Sequence, residues 1–384
     1  MEAALPRLRV LDFSRVLAGP YATMMLADLG AQVTKVERPG FGDDTRHWGP
    51  PYDEAGNATY FQSVNRNKQS LVLDLSERAD LERARRLALE ADVLVENFRP
   101  GLMDDLGLGY EQLRHDNPRL IYCSITGFGA GAAHLPGYDL LVQALGGLMS
   151  ITGPADGPPH KVGVALVDVL AGLYATIGIL TAVIHRGDAG AGQRVEINLL
   201  SSLLAAMVNQ SAAYTAAGVV PTRMGNRHPS IAPYEALACA DGELVVAVGN
   251  DRQFGSLCAV VGAPELAEDR RFATNTNRVA NRESLIEELE GRLAGRPAAQ
   301  WAAELTQARV PAGTVNDIAS AFRLAQSLGL EPVVSLPRAD GTEIRLPRNP
   351  IGLSATPPSY RTAPPELGSS LPDQEPLARS GDPR

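Results

Sequence analysis

LRVLDFSRVLAGPYATMMLADLGAQVTKVE, residues 8–37, decides the fold. The apolar run LRVLDF (8–13) reads as a strand, AGP at 18–20 turns the chain into the helical stretch YATMMLADLG (21–30), and AQVTKVE (31–37) is a second strand. Strand, helix and strand in this order make a βαβ unit. Near-continuous apolar strands belong to parallel sheets covered on both faces. The alternation continues with SLVLDL (70–75), a charged amphipathic helix at 77–90, ADVLVENF (91–98), a helix over about 101–115 and the strand LIYCSIT (120–126). A helical region at 139–148, a long apolar helix beyond it, the strand RVEINLL (194–200) and an Ala-rich helix at 201–217 follow. The pattern predicts an α/β fold with a doubly wound, Rossmann-like sheet.

At GVVPTRMGNRHPSIAPY (218–234) the composition turns to Gly, Pro and basic residues, the mark of an irregular linker or functional loop. Beyond it, ALACADGELVVAVG (236–249) predicts a hairpin around Asp241-Gly242. Charged helices fill 251–309, and VPAGTV (310–315) with another helix completes a smaller α+β domain. A second hairpin is expected around Asp340-Gly341. The predicted domains are therefore 1–222 with 328–384, and 223–327. The tail SLPDQEPLARSGDPR (370–384) is expected to be mobile.

Bulk properties exclude several function classes. The 384 residues carry 35 basic and 44 acidic side chains, a net charge of −9, with no basic stripe. Nucleic acid and anionic membrane surfaces are thus poor partners, and any anionic ligand must meet a local cationic cluster. MEAALPRLRVLDF lacks the regions of a signal peptide, so a cytoplasmic location is expected. Cys123, Cys239 and Cys258 form neither a metal spacing nor a disulfide framework, and the six histidines show no H-x-x-x-H or H-E-x-x-H pattern. No metal is expected. The first turn offers Gly19 followed by Pro20, where a dinucleotide fingerprint needs three glycines, so neither NAD nor flavin is expected although Glu37 ends the second strand. There is no G-x-S-x-G.

A carboxylate remains. Between Lys161 and His185 lies VGVALVDVLAGLYATIGILTAVI, in which Asp168 is the only charged residue. The run is long enough to cross a bilayer, but a mid-helix Asp costs about 2.5–3.5 kcal/mol on insertion scales and no second such segment accompanies it; a membrane span is not expected. Burying an ionised carboxylate without partners is costly, so its retention calls for a reason. One reading makes Asp168 the cap of its helix. The other makes it functional: Gly172 and Ala175, at i+4 and i+7, share its face and are expected to leave room for a ligand. An Asp in a dry site can attack an activated carbonyl such as a thioester, giving an acyl-aspartyl anhydride.

Several ordered blocks carry a resemblance: VLDFSRVLAGPYATMMLADLGAQVTKVERPGFGDDTR, NRNKQSLVLDL, ENFRPG, PGYDLLVQALGGLMSITG, VALVDVLAGLYATIGILTAVIHR, GQRVEINLL and GNRHPSIAPY. From about residue 8 to 260 the chain resembles the class III CoA-transferases, a family that also contains α-methylacyl-CoA racemases. The resemblance implies that Asp168, in an Asp168…Gly172 context, is the nucleophile. It also implies a site for coenzyme A or acyl-CoA, as substrate, at Val16, Leu17, Ala18, Arg38, Leu73, Asp74, Leu75, Asn97, Phe98, Tyr138 and Asp139. A carboxylic acid would be the second substrate, and the loop Gly225, Asn226, Arg227, His228 would lie near the active site, with Arg227 the better partner for an acceptor carboxylate. An interlaced homodimer is a further implication. Leu17, Ser76 and Asp105 depart from the Gln, basic residue and Arg found in some transferases. A racemase would pair the Asp with a His in a GHD motif, where this chain has Gly137-Tyr138-Asp139. A non-catalytic acyl-CoA-binding protein of the same fold is the alternative from another class.

Overall fold

The computed structural model describes residues 3–369; the tail 370–384 lies outside them. The described residues form two compact units, 3–148, 162–218 and 331–369 in the larger, and 149–161 and 219–330 in the smaller. The smaller unit thus takes in 149–161, a stretch assigned above to the larger domain.

The larger unit holds a six-stranded sheet of β1 (Arg9–Asp12), β2 (Gln32–Glu37), β3 (Lys68–Val72), β4 (Val93–Glu96), β5 (Ile121–Thr126) and β6 (Arg194–Asn198). All pairings are parallel and the order is β3-β2-β1-β4-β5-β6. This is the doubly wound α/β fold that the first forty residues predict. The direction of winding reverses between β1 and β4, and ligands of such sheets bind outside the strand carboxyl ends at that switch point. The sheet packs on the charged helix Arg78–Glu90 and on Tyr110–Asp116 through Leu11, Leu71, Leu94 and Tyr122 against Leu87, Ala88 and Leu113. A two-stranded antiparallel hairpin, β10 (Val333–Pro337) with β11 (Glu343–Pro347), also belongs to this unit.

Only Tyr21 of the Ala18–Asp28 helix escapes full burial. Its last residue, Asp28, is a buried anion at a helix C-terminus, where the dipole opposes it. Arg66 (2.6 Å), Asn67 (2.8 Å) and Asn349 (3.1 Å) compensate. The long apolar helix, Leu166–Ala189, packs against this helix. A Cβ on Gly172 would stand 2.7 Å from the Ala18 carbonyl oxygen. Gly172 therefore serves close helix packing, and Ala175 is fully buried; the ligand space expected above them on that face is filled by the neighbouring helix.

One expected helix is broken and one expected strand is shortened. The 101–115 helix splits into Leu102–Asp105 and Tyr110–Asp116 around Gly107, whose φ is +70°. Strand 194–200 stops at Asn198 because its side chain accepts the Ser201 N–H (2.8 Å), capping a helix that begins at Leu199.

The smaller unit is an antiparallel sheet, β7 (Tyr234–Cys239), β8 (Gly242–Ala247) and β9 (Ala312–Thr314), packed on helices through Leu237, Leu244, Phe254, Phe272, Leu289 and Trp301. Both predicted hairpins form. The fully buried Arg278 is satisfied by the carbonyls of Ala232 (2.8 Å) and Phe272 (2.9 Å) and by Asp251 (2.7 Å).

Candidate active site

Asp168 occupies the first turn of the Leu166–Ala189 helix and is 9% exposed. It is not the cap: Ala165 holds that position and makes no side-chain capping bond. Asp139, from the helix Asp139–Leu145, does the work instead, accepting the backbone N–H groups of Val167 (2.8 Å) and Asp168 (3.4 Å). It also accepts from Gln143 (2.6 Å). No hydrogen bond or ion pair reaches the Asp168 carboxylate from the described residues. Burial, followed by the negative charge of Asp139, pushes its pKa up to about 7.

Leu17, Met24 and Val64 pack with Val16, Tyr21, Tyr60, Ala165 and Val169 into an apolar cluster beside this residue. Tyr60 belongs to it, and burial with the charges of Asp168, Asp139 and Asp43 pushes its hydroxyl up to about 12. A carboxylate so placed is poorly solvated and unpaired, which raises the reactivity of its oxygens once it is ionised.

Asp168 opens into a cavity of about 740 Å³ at the switch point of the sheet. Its walls include Val16, Leu17 and Ala18 after β1, Asn97 and Phe98 after β4, and Tyr138. A smaller cavity of about 200 Å³ lies at the ends of β1, β2 and β3 and contains Arg38, Leu73, Asp74 and Leu75. The two share Arg15 and Phe98, whose guanidinium and ring lie 5.1 Å apart. The structure therefore gathers ten of the eleven residues named for acyl-CoA into two adjoining hollows. Asp139 lines neither; it orients the helix that carries Asp168. Asn97 is at the wall, but its amide is engaged, accepting from Arg15 N (2.8 Å) and donating to Arg15 O (2.7 Å).

Arg38 donates to Asp44 (2.6 Å) and to the Gly42 carbonyl (3.1 Å) while keeping its side chain 46% exposed. Glu37, the acid that a ribose would require, is consumed by Arg46 (2.7 and 2.8 Å) and Ser70 (2.6 Å). In the smaller unit Arg227 pairs with Glu283 (2.5 Å) and Glu235 (3.3 Å), and His228 Nδ1 accepts from Ser230 N (3.1 Å). Gly225 has φ +62° and donates to the Gly153 carbonyl (3.1 Å). Among the described residues no group of three His, Cys, Asp or Glu is placed to hold a metal.

Sequence reasoning missed the charged residues beneath the site. Asp12, Lys35, Asp43 and Lys68 are all buried, with Lys35 to Asp43 at 2.9 Å and Lys68 to Asp12 at 3.2 Å. The available signal was a lysine inside each of two short strands, VTKVE and KQSLV.

A doubly wound sheet with a buried acid at its switch point, beside two adjoining hollows at the strand carboxyl ends, has the layout of the ligand-binding α/β enzymes. The comparisons agree. Residues 5–370 match the model of CoA-transferase family III. The chain is 44% identical over 94% of its length, and 92% of the other protein's, to the succinate–glutarate CoA-transferase of Agrobacterium fabrum. It is 42% identical over 90% of its length, and 88% of the other's, to the acetyl-CoA:oxalate CoA-transferase of Acetobacter aceti. Among solved structures, a CAIB/BAIF family protein from Brucella suis is 43% identical, with a TM-score of 0.84, 96% of this chain covered and 97% of that one. The chain belongs to CoA-transferase family III, and it is a CoA-transferase.

The raised pKa of Asp168 has a kinetic consequence. Any step that needs the ionised Asp168 carboxylate is expected to speed up as pH rises through about 7 and then level off, read as kcat/KM for the acyl-CoA donor. Asp139→Asn keeps an oxygen for the Val167 N–H but removes the like charge, and the acid limb is expected to move to lower pH. A limb that stays in place, measured at subsaturating donor, shows that the Asp139 charge is not felt at Asp168.

Proposed function

We propose that the protein moves CoA from an acyl-CoA donor to a dicarboxylic acid through covalent intermediates on Asp168. The observation that carries this reading is the buried, unpaired Asp168 carboxylate opening into the switch-point cavity. The ionised carboxylate attacks the donor thioester carbonyl, and the C–S bond breaks to leave an acyl-aspartyl anhydride and CoA thiolate. The thiolate then attacks the aspartyl carbonyl, releasing the donor acid and leaving an aspartyl-CoA thioester. The acceptor carboxylate attacks that thioester, giving a second anhydride and thiolate again. Thiolate attack on the acceptor's acyl carbonyl forms the new acyl-CoA and restores Asp168. Every step exchanges one acyl bond for another, so the thioester energy is conserved, and the apolar surroundings of Asp168 keep water from the anhydrides.

The two adjoining hollows suit a nucleotide head and a long thiol-bearing arm, with Arg38 lining the smaller hollow and Asp168 the larger. The dicarboxylate class is supported by the names of the relatives, which act on succinate, glutarate and oxalate. A homodimer is supported by the apolar stripe Leu173, Tyr174, Ile177 and Ile184 left exposed on the Leu166–Ala189 helix. Trapping tests the chemistry. The protein incubated with succinyl-CoA and then hydroxylamine is expected to carry a hydroxamate on Asp168, found by peptide mass spectrometry. Turnover with an unmodified Asp168 refutes the covalent route, while binding without turnover points to the non-catalytic reading.

A further inference from the structure

The loop after β1 holds an unusual backbone conformation at the wall of the Asp168 cavity. Val16 has φ +68°, a left-handed setting that a β-branched residue keeps only where its surroundings enforce it. Two side chains enforce it. Asn97 grips the preceding peptide units through Arg15 N and Arg15 O, as described above. Asp43 accepts the Val16 N–H itself, both oxygens lying 3.3 Å away.

Asp43 is 1% exposed and is anchored by the fully buried Lys35, whose ammonium also donates to the Ser14 carbonyl at 2.7 Å. Thr45 gives it an N–H (3.0 Å) and a hydroxyl (2.8 Å), which ties to the same carboxylate the turn bearing Asp44 and Trp48. Both of those residues line the Asp168 cavity. Burial alone would raise the Asp43 pKa, but Lys35 and the Thr45 donors outweigh it and hold it at about 2. A buried ion pair is rarely the most stable way to fill such space, since apolar residues of similar volume often do as well. An apolar pair, however, offers no acceptor to the Val16 N–H.

We infer that Asp43, anchored by Lys35, is a positioning residue for CoA transfer: it fixes the Val16 turn and the Trp48 wall of the acyl-CoA cavity, with Asn97 as the second half of the clamp. This rests on the acyl-CoA reading of the cavity given above.

Two variants test it. Lys35→Met combined with Asp43→Leu removes the ion pair without orphaning either charge, and Asn97→Ala opens the other half of the clamp. Each is measured for melting temperature and for KM of acyl-CoA and of acceptor acid. The chain has two tryptophans, Trp48 and Trp301, so a Trp301→Phe background makes Trp48 emission a reporter of the cavity wall. Both variants are expected to raise KM for acyl-CoA by about tenfold or more while remaining folded, and the paired variant to red-shift Trp48 emission. Lys35→Gln with Asp43→Asn, which still offers an amide oxygen to Val16, is expected to return KM to near the wild-type value. A folded paired variant with unchanged KM and emission overturns the inference, as does Asn97→Ala with unchanged KM. If the paired variant does not fold, Asn97→Ala decides, because it leaves no charge unpaired. Failure of the acyl-CoA reading looks different: the wild-type protein then shows no saturation with acyl-CoA and no change in Trp48 emission on its addition, and the inference falls with it.

Discussion

Asp168→Asn is expected to lower kcat for CoA transfer by about 10⁴-fold or more, the scale on which removing a covalent nucleophile acts, while CoA binding and fold are kept. The same substitution carries a second signature that an incidental buried acid at the surface of the cavity would not give in combination with the first. The Asp168 pKa is raised from 3.8 to about 7 in the folded protein by burial and by Asp139. A raised carboxyl pKa is a cost to the folded state: it is absent below about pH 4, grows as pH climbs toward 7, and is complete above that. The neutral Asn escapes it and is expected to be more stable than wild type at pH 8 by on the order of 2–4 kcal/mol, with the difference shrinking toward pH 5. Thermal or urea unfolding at the two pH values measures this. A variant that loses activity but gains no stability at high pH shows that the carboxylate is better solvated than its 9% exposure indicates.

Gly172→Ala is expected to be a damaging methyl addition near the site. Helix propensity alone favours Ala by about 1 kcal/mol. Against that, the new Cβ stands 2.7 Å from the Ala18 carbonyl oxygen and 3.1 Å from the Tyr21 ring. A backbone carbonyl cannot rotate aside, so the two helices must part. Overpacking of this kind costs about 1–3 kcal/mol. It also shifts Ala18, a wall of the cavity, relative to Asp168, one turn from the substitution; a misplacement approaching 1 Å lowers kcat by about 10²-fold. Gly187→Ala on the same helix is the control, because its Cβ meets nothing within 4 Å. Equal activity and melting temperature in the two variants would show that the contact is relieved without moving the site.

Local pattern carried most of the larger unit and the hairpin of the smaller one. The βαβ opening, the amphipathic 77–90 helix and both hairpins depend on periodicity and turn residues that act within a few positions. Helix breaks were harder to read because they turn on single backbone conformations, as at Gly107. Within the site, the residues that end strands were legible, since parallel sheets put ligands at strand carboxyl ends. Asp139 and Asn97 were found as site residues, but their tasks were not. One holds N–H groups 28 and 29 residues away, and the other bonds a loop 82 residues away. No spacing rule reports contacts at that distance.

The amino-acid sequence by itself determined the order of strands and helices, the parallel sheet and the anomaly of an acid in an apolar helix, because each follows from hydrophobic period and charge. Tertiary structure alone decided what that acid does. Whether a carboxylate is capped, paired or left bare depends on which donors the fold brings within about 3 Å. Here it brings Asp139 to the helix end and, among the described residues, no donor to the Asp168 carboxylate, and the same packing turns Gly172 from a space for ligand into a helix contact.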